Sequence, residues 1–473
     1  MTEFGILSIF PPIIAIILAI QTKQVIPAIL TGLFLGYLII FGWNPISGAL
    51  GTIDGLVDVF KSAGNTRTIL FTLLIGALIQ LIKTSNGVHG FVNLLQNKIE
   101  RSSRPKPKLQ LYSALTGFLI FIESNISILT VGTLFGPLFK KFGISKVRLA
   151  YIADSSSAPS CILFPANAWG AYIIGLLALY DHLPPFKTLI YSIPFNFYPI
   201  LTLLMVAFVS STNKTIGPMK KFEVIASYET TEAKSQIPVT TGKASNMLIP
   251  LLIMIFSMPL FMIYTGYSPD VTGSTIERLW AYIGEASGSS SVLYAVSLAV
   301  IVAGIMYAFQ KLLNLKGFIE ESFKGMNEML SMAILMVLAF ALGNLCKELE
   351  TGQYVAEVTQ AWLTPQLAPA VIFATSCFIA FSTGTSWGTF AIMISIGIPL
   401  AQNLDLNIYL ALAAVLGGGV FGDHCSPISD TTLIASMATE TDHIDHVKTQ
   451  LPYALITGGA SFVLYLIFGF LLA

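Results

Sequence analysis

Five ionisable side chains, Glu123, Asp154, Asp423, His424 and Asp430, fall inside stretches of sequence that are otherwise apolar. A carboxylate at mid-membrane depth costs at least about 2.5 to 3.5 kcal/mol, so an acid retained there is expected to have a task. No Lys or Arg accompanies these acids, and the set suits a cation or a proton. Pro159 and Pro427 come after Asp154 and Asp423 within a few residues, each among serines. Proline inside a helix removes a hydrogen bond and clashes with the preceding turn, which predicts breaks at those two points. Freed carbonyls with Asp, Ser, Thr and Asn oxygens would form a hard oxygen shell of the kind alkali cations take. The seven-residue spacing of Asp423 and Asp430 would place both on one helix face.

These residues need a membrane around them. Of 473 residues 54% are apolar and 11% charged, against about 25% charged in soluble domains. That excludes a conventional cytosolic protein. Equal numbers of acidic and basic residues, 25 each, give no reason to expect nucleic acid. The four cysteines lie far apart without a CxxC pair, so free thiols are expected rather than a disulfide framework or a zinc site. With about 20 apolar residues needed per spanning helix, ten spans are expected near 4–21, 24–42, 67–83, 148–180, 188–210, 246–264, 290–310, 330–346, 408–437 and 451–473. Two longer apolar stretches, 109–139 and 367–402, are interrupted at Glu123-Ser124-Asn125-Ile126 and Thr383-Gly384-Thr385-Ser386.

Basic residues collect in cytoplasmic loops. If both interrupted stretches are re-entrant hairpins, 20 of the 25 Lys and Arg fall on one side, leaving Lys61, Arg67, Lys187, Arg278 and Lys347 on the other. Both termini are then outside, in a multi-pass protein of the cytoplasmic membrane. Residues 1–210 and 246–473 would each hold five spans and one hairpin, joined by a cytoplasmic linker at 211–245, and an odd number of spans inverts the second half relative to the first. The two hairpins share a pattern: Phe121 and Phe381 each precede a small polar cluster, and each second arm ends in Pro-Leu. The expected fold is an all-α integral membrane inverted repeat with broken helices and two facing sites, each made from a hairpin tip and a broken span. The tips would contribute Ser124, Asn125, Thr383, Thr385 and Ser386. The run Asp442-His443-Ile444-Asp445-His446 is expected on a cytoplasmic loop, solvated or sensing pH.

The stretch from Val420 to Thr432, with His446-Val447-Lys448-Thr449-Gln450-Leu451-Pro452-Tyr453-Ala454, closely resembles the signature of the NhaC-type sodium/proton antiporters; Gly384-Thr385-Ser386-Trp387-Gly388-Thr389 extends the similarity. The resemblance implies an inverted repeat with two hairpins and points to Asp423, Ser426, Ser429, Asp430 and Thr431 at the ion site. The first half departs from that pattern. Ala153-Asp154 is succeeded by Ala158-Pro159-Ser160-Cys161, without a second acid. Some relatives resemble malate/lactate exchangers, which admits an organic solute.

The expected activity is therefore exchange of sodium for protons by alternating access, with sodium at Asp423, Asp430 and Asp154, Glu123 as a further ion-binding acid, and no cofactor or enzymatic reaction. The rival reading is a sodium-coupled carrier or exchanger of a small carboxylate or amino acid, touching Asn125, Asn167 and Trp169. Sodium, protons, the lipid bilayer and a second copy in a homodimer are the expected partners.

Overall fold

The computed structural model describes residues 4–472 apart from 23, 92–102, 122, 181–182, 230–241, 270–273, 276–277, 280–281, 284–285, 352–353, 355–357 and 359–362. Residues 230–241 of the expected linker 211–245 therefore lie outside the described residues. Among the described residues the regular structure is helical throughout. The first part of the chain holds α1 (Phe10–Thr22), α2 (Val25–Ile40), α3 (Pro45–Asp58) and α4 (Ala63–Thr84). Next come α5 (Pro105–Leu119), α6 (Ser124–Lys141), α7 (Lys146–Leu163), α8 (Ala168–Leu177), α9 (Pro185–Ser192), α10 (Phe197–Thr212) and α11 (Met219–Glu229). The second part holds α12 (Ser245–Thr265), α13 (Gly288–Phe309), α14 (Leu315–Glu328), α15 (Leu330–Glu348), α16 (Ala368–Thr383), α17 (Ser386–Asn403), α18 (Ile408–Cys425), α19 (Asp430–Ala438) and α20 (His443–Leu471).

Among the described residues six helices, α4, α12, α13, α15, α18 and α20, are long and apolar enough to cross a membrane, or eight if each of two bent pairs is one span. The bent pairs are α7 with α8, at 42°, and residues 185–195 with α10, at 48°. Gly5–Ala19, Val25–Ile40 and Ala368–Thr383 are shorter apolar helices. The expected spans 148–180 and 408–437 are thus each two helices. The last span starts earlier than expected, at His443, because Asp442 caps it by accepting from the Asp445 backbone N–H and because Pro452 is accommodated inside it.

The expected break at Pro159 is absent: Pro159 lies within α7. Proline is tolerated in membrane helices where packed neighbours satisfy the freed backbone, and every residue from Val147 to Ile162 is buried. The chain breaks instead at Pro165. A proline drives the residue before it into extended backbone: Phe164 has φ −106°, ψ 113°, and Ser426, before Pro427, has φ −78°, ψ 127°.

Glycine brings the second hairpin against the broken helix. A Cβ on Gly418 would stand 2.5 Å from the Phe373 carbonyl oxygen, and one on Gly422 would stand 2.3 Å from that of Cys377. This is the small-residue spacing that lets membrane helices approach backbone to backbone. Outside the candidate spans, α3 buries Gly48, Gly51, Thr52 and Gly55 and exposes Ile46, Leu50, Ile53 and Val57, so its small and aliphatic residues fall on opposite faces.

Candidate functional site

In the second half, α16 ends at Gly384, which has φ 68° and faces the Ile428 carbonyl so closely that a Cβ would approach it to 2.6 Å. The left-handed turn lets the chain reverse within two residues and start α17 at Ser386. Across from this tip α18 ends at Cys425 and α19 begins at Asp430, with Ser429 as its N-cap. Asp423 is buried between them at 2% exposure. Its Oδ2 accepts from Ser386 Oγ at 2.8 Å and its Oδ1 from Ser429 Oγ at 2.5 Å. Ser429 Oγ is also 3.0 Å from Thr431 Oγ1, and Ser386 Oγ is 3.2 Å from the Gly419 carbonyl. One carboxylate, three hydroxyls and one backbone carbonyl therefore converge from a hairpin tip and both halves of a broken helix. Two helix N-termini, those of α17 and α19, favour negative charge at this point.

The remaining expected residues take different places. Ser426 holds the two elements together, its Oγ donating to the Phe381 carbonyl at 2.7 Å. Thr383 bonds the Ile379 carbonyl of its own helix, and Thr385 is half-buried at the tip. Asp430 is exposed at the start of α19 and accepts from the Thr431 backbone N–H; the Asn125 side chain reaches its carboxylate. The helix is interrupted between Asp423 and Asp430, so their seven-residue spacing is not two turns of one face.

The first half builds a junction of the same plan. α5 and α6 form the hairpin, and α7 ends at a C-cap, Phe164, three residues before Asn167, the N-cap of α8. In the second half the C-cap Ser426 likewise precedes the N-cap Ser429 by three. Asn167 accepts from the Gly170 backbone N–H as Ser429 does from that of Thr432. Asn167 Nδ2 and Cys161 Sγ both donate to the Phe121 carbonyl, at 2.9 and 3.2 Å. Glu123 is buried at 3% exposure beside Ser124, whose hydroxyl is 3.4 Å from its Oε1. It lines a cavity of about 20 Å³ shared with Lys83, Ile82, Ile120 and Met247.

Asp154 is not at this junction. It lies ten residues before Phe164 on α7 and is fully buried. Gln450 Nε2 donates to its Oδ2 at 2.6 Å and to the His424 carbonyl at 2.9 Å. His424 Nε2 is 3.7 Å from Oδ1, His446 Nε2 is 3.6 Å from Oδ2, and Tyr198 OH is 3.1 Å from His424 Nδ1. Asp154 Oδ1, His424 Nε2, both ring nitrogens of His446 and Gln450 Oε1 are buried with no hydrogen-bond partner among the described residues. His446 is thus buried against an acid rather than solvated in a loop. His443 stays near the surface and bonds the Pro427 carbonyl and Ser436. Tyr198 carried no sequence signal. His446 and Gln450, one helical turn apart, did show a helical spacing.

Residues 161–470 match the model of the Na+/H+ antiporter family. An uncharacterized protein of Haemophilus influenzae is 32% identical, with 98% of this chain and 91% of that protein aligned. The malate-2H(+)/Na(+)-lactate antiporter of Bacillus subtilis is 32% identical over 93 residues, 20% of each chain. Among solved structures, the Alcanivorax borkumensis YdaH transporter superposes with a TM-score of 0.63 at 15% identity, covering 89% of both chains. The family match covers more than half the chain and includes the Asp423 junction, so this chain belongs to the Na+/H+ antiporter family.

Proposed function

We propose that this antiporter exchanges sodium for protons by competition at Asp423. The observation that supports the reading is the buried Asp423 carboxylate, hydrogen-bonded on both oxygens by hydroxyls of separate elements. Burial disfavours a bare carboxylate, and either a proton or a bound cation relieves that cost. With sodium present, Ser386, Ser429 and Thr431 turn their protons away and offer oxygen, joined by the Gly419 carbonyl. With a proton on Asp423, the same hydroxyls pair with one another and with the backbone. Only these two loaded forms are cheap to carry across, which couples the opposing fluxes. Asp430, exposed next to the junction, attracts cations toward it.

Asp154 is assigned to coupling rather than to sodium. Gln450 ties its carboxylate to the carbonyl of His424, the residue after Asp423, so a change at either acid is felt by the other. Residues 1–210 and 246–473 act as inverted halves in the cytoplasmic membrane, with the basic loops inside and both termini outside. A second reading, movement of a small carboxylate with sodium, rests on the local similarity to the malate-2H(+)/Na(+)-lactate antiporter.

The test is a proteoliposome assay with a trapped pH dye and an imposed proton gradient. Sodium chloride, but not potassium chloride, is expected to dissipate the gradient, and Asp423→Asn to abolish the response at normal folding. Sodium-driven proton movement that survives in Asp423→Asn removes Asp423 from the mechanism. Sodium-dependent uptake of labelled malate or lactate without proton exchange would favour the second reading.

A further inference from the structure

Matching the two junctions cap to cap pairs Phe164-Pro165-Ala166-Asn167 with Ser426-Pro427-Ile428-Ser429. The same register places Cys161, three residues before its C-cap, opposite Asp423, three before its own. Both side chains face their own hairpin: Asp423 bonds Ser386 at the second tip, and Cys161 bonds the Phe121 carbonyl at the first. We infer that the transporter holds sodium in one half only, and that Cys161 is the residue that closes the first-half junction to it.

Three features of the first junction carry the inference, which rests on Asp423 being the sodium site. Cys161 donates its S–H to Phe121, so it is present as a neutral thiol, and neutral sulfur is a poor ligand for a hard cation. A carbonyl oxygen has two lone pairs, and Asn167 and Cys161 take both on Phe121, whereas at Phe381 one hydroxyl, that of Ser426, is bound. The remaining acid, Glu123, is on the hairpin instead of the broken helix. Its cavity has about the volume of one water molecule and is otherwise lined by aliphatic side chains and Lys83, whose ammonium pairs with Glu328 at 3.2 Å, so no second side-chain oxygen lines it to share a cation with Glu123.

The experiment is equilibrium binding of radioactive sodium to the purified transporter in detergent, titrated to saturation and expressed per chain. One sodium is expected for the native protein, none for Asp423→Asn, and one for Cys161→Ser and for Glu123→Gln. Cys161→Asp is expected to bind two, and to retain one when combined with Asp423→Asn. Two sodium ions per native chain, or loss of the single ion in Glu123→Gln, would overturn the inference while leaving sodium exchange in place. A folded Cys161→Asp that still binds one would overturn the equivalence of the two positions. No binding to the native protein would overturn the Asp423 reading itself, and this inference with it. Should Cys161→Asp fail to fold, the native count and the two conservative variants decide.

Discussion

At Asp423 the supporting hydroxyls differ in what else they hold. Ser386 Oγ contacts the carboxylate and the Gly419 carbonyl, so Ser386→Ala is expected to raise the sodium concentration for half-maximal exchange about tenfold to a hundredfold, the worth of one hydrogen bond to a charged group. The turnover at saturating sodium should stay near that of the native protein. Ser429 also caps α19, and Ser429→Ala is expected to add a stability loss of about 0.5–2 kcal/mol, visible as a lower midpoint in detergent melts. Gln450→Leu removes the donor that Asp154 and the His424 carbonyl share; a loss of about 1–3 kcal/mol, with sodium affinity at Asp423 less affected than exchange rate, is the expected signature of coupling. Asp423 was legible in the sequence because a charge in an apolar run is conspicuous. The company of Asp154 was not, because Gln450 is 296 residues away along the chain and only the fold brings α7 and α20 together.

Among the elements, the breaks were half legible. Proline marks both, yet Pro159 and Pro165 are equally visible in sequence and only one interrupts the helix. The residues C-terminal to each proline make the difference: Asn167 can cap a new helix at Gly170, whereas those after Pro159 continue α7 among buried neighbours. A polar cap two residues after the proline, present at Asn167 and Ser429, is the discriminating signal. The glycine seam between α16 and α18 yields a direct test, since Gly418→Leu must displace the Phe373 carbonyl. An overpacked interior costs about 1–3 kcal/mol or more, and both folded yield and sodium exchange should fall. At the C-terminal end of α4, Gln80 and Thr84 donate to Glu321 of α14 at 2.5 and 2.9 Å. These bonds hold the Glu321 carboxyl below its ordinary range. A lowered folded-state pKa stabilises above the unfolded value and fades as pH falls through the folded one. The melting penalty of Gln80→Ala should therefore be present at neutral pH and shrink on acidification.

For the whole molecule, the uneven distribution of loop charge predicts a side for every loop, and the exposed ends of the helices make that prediction measurable. The Glu440 and Lys316 side chains are both 82% exposed and that of Asp58 is 51% exposed. With single cysteines in intact cells, Asp58→Cys is expected to react with a membrane-impermeant maleimide, while Glu440→Cys and Lys316→Cys react only after permeabilisation. The reverse pattern would turn the molecule over. Hydropathy could not foresee α3, whose glycine face packs on α2 while its aliphatic face is exposed. Its mixed composition reads as a loop until the partner helix is known. The seam of Gly418 and Gly422 reaches further than stability. Helices in backbone contact cannot slide past one another without separating, so the second hairpin and Asp423 form a single carriage. If sodium sits at Asp423, it is expected to change sides with that carriage, and a spin-label pair placed across the seam should keep one distance throughout the transport cycle.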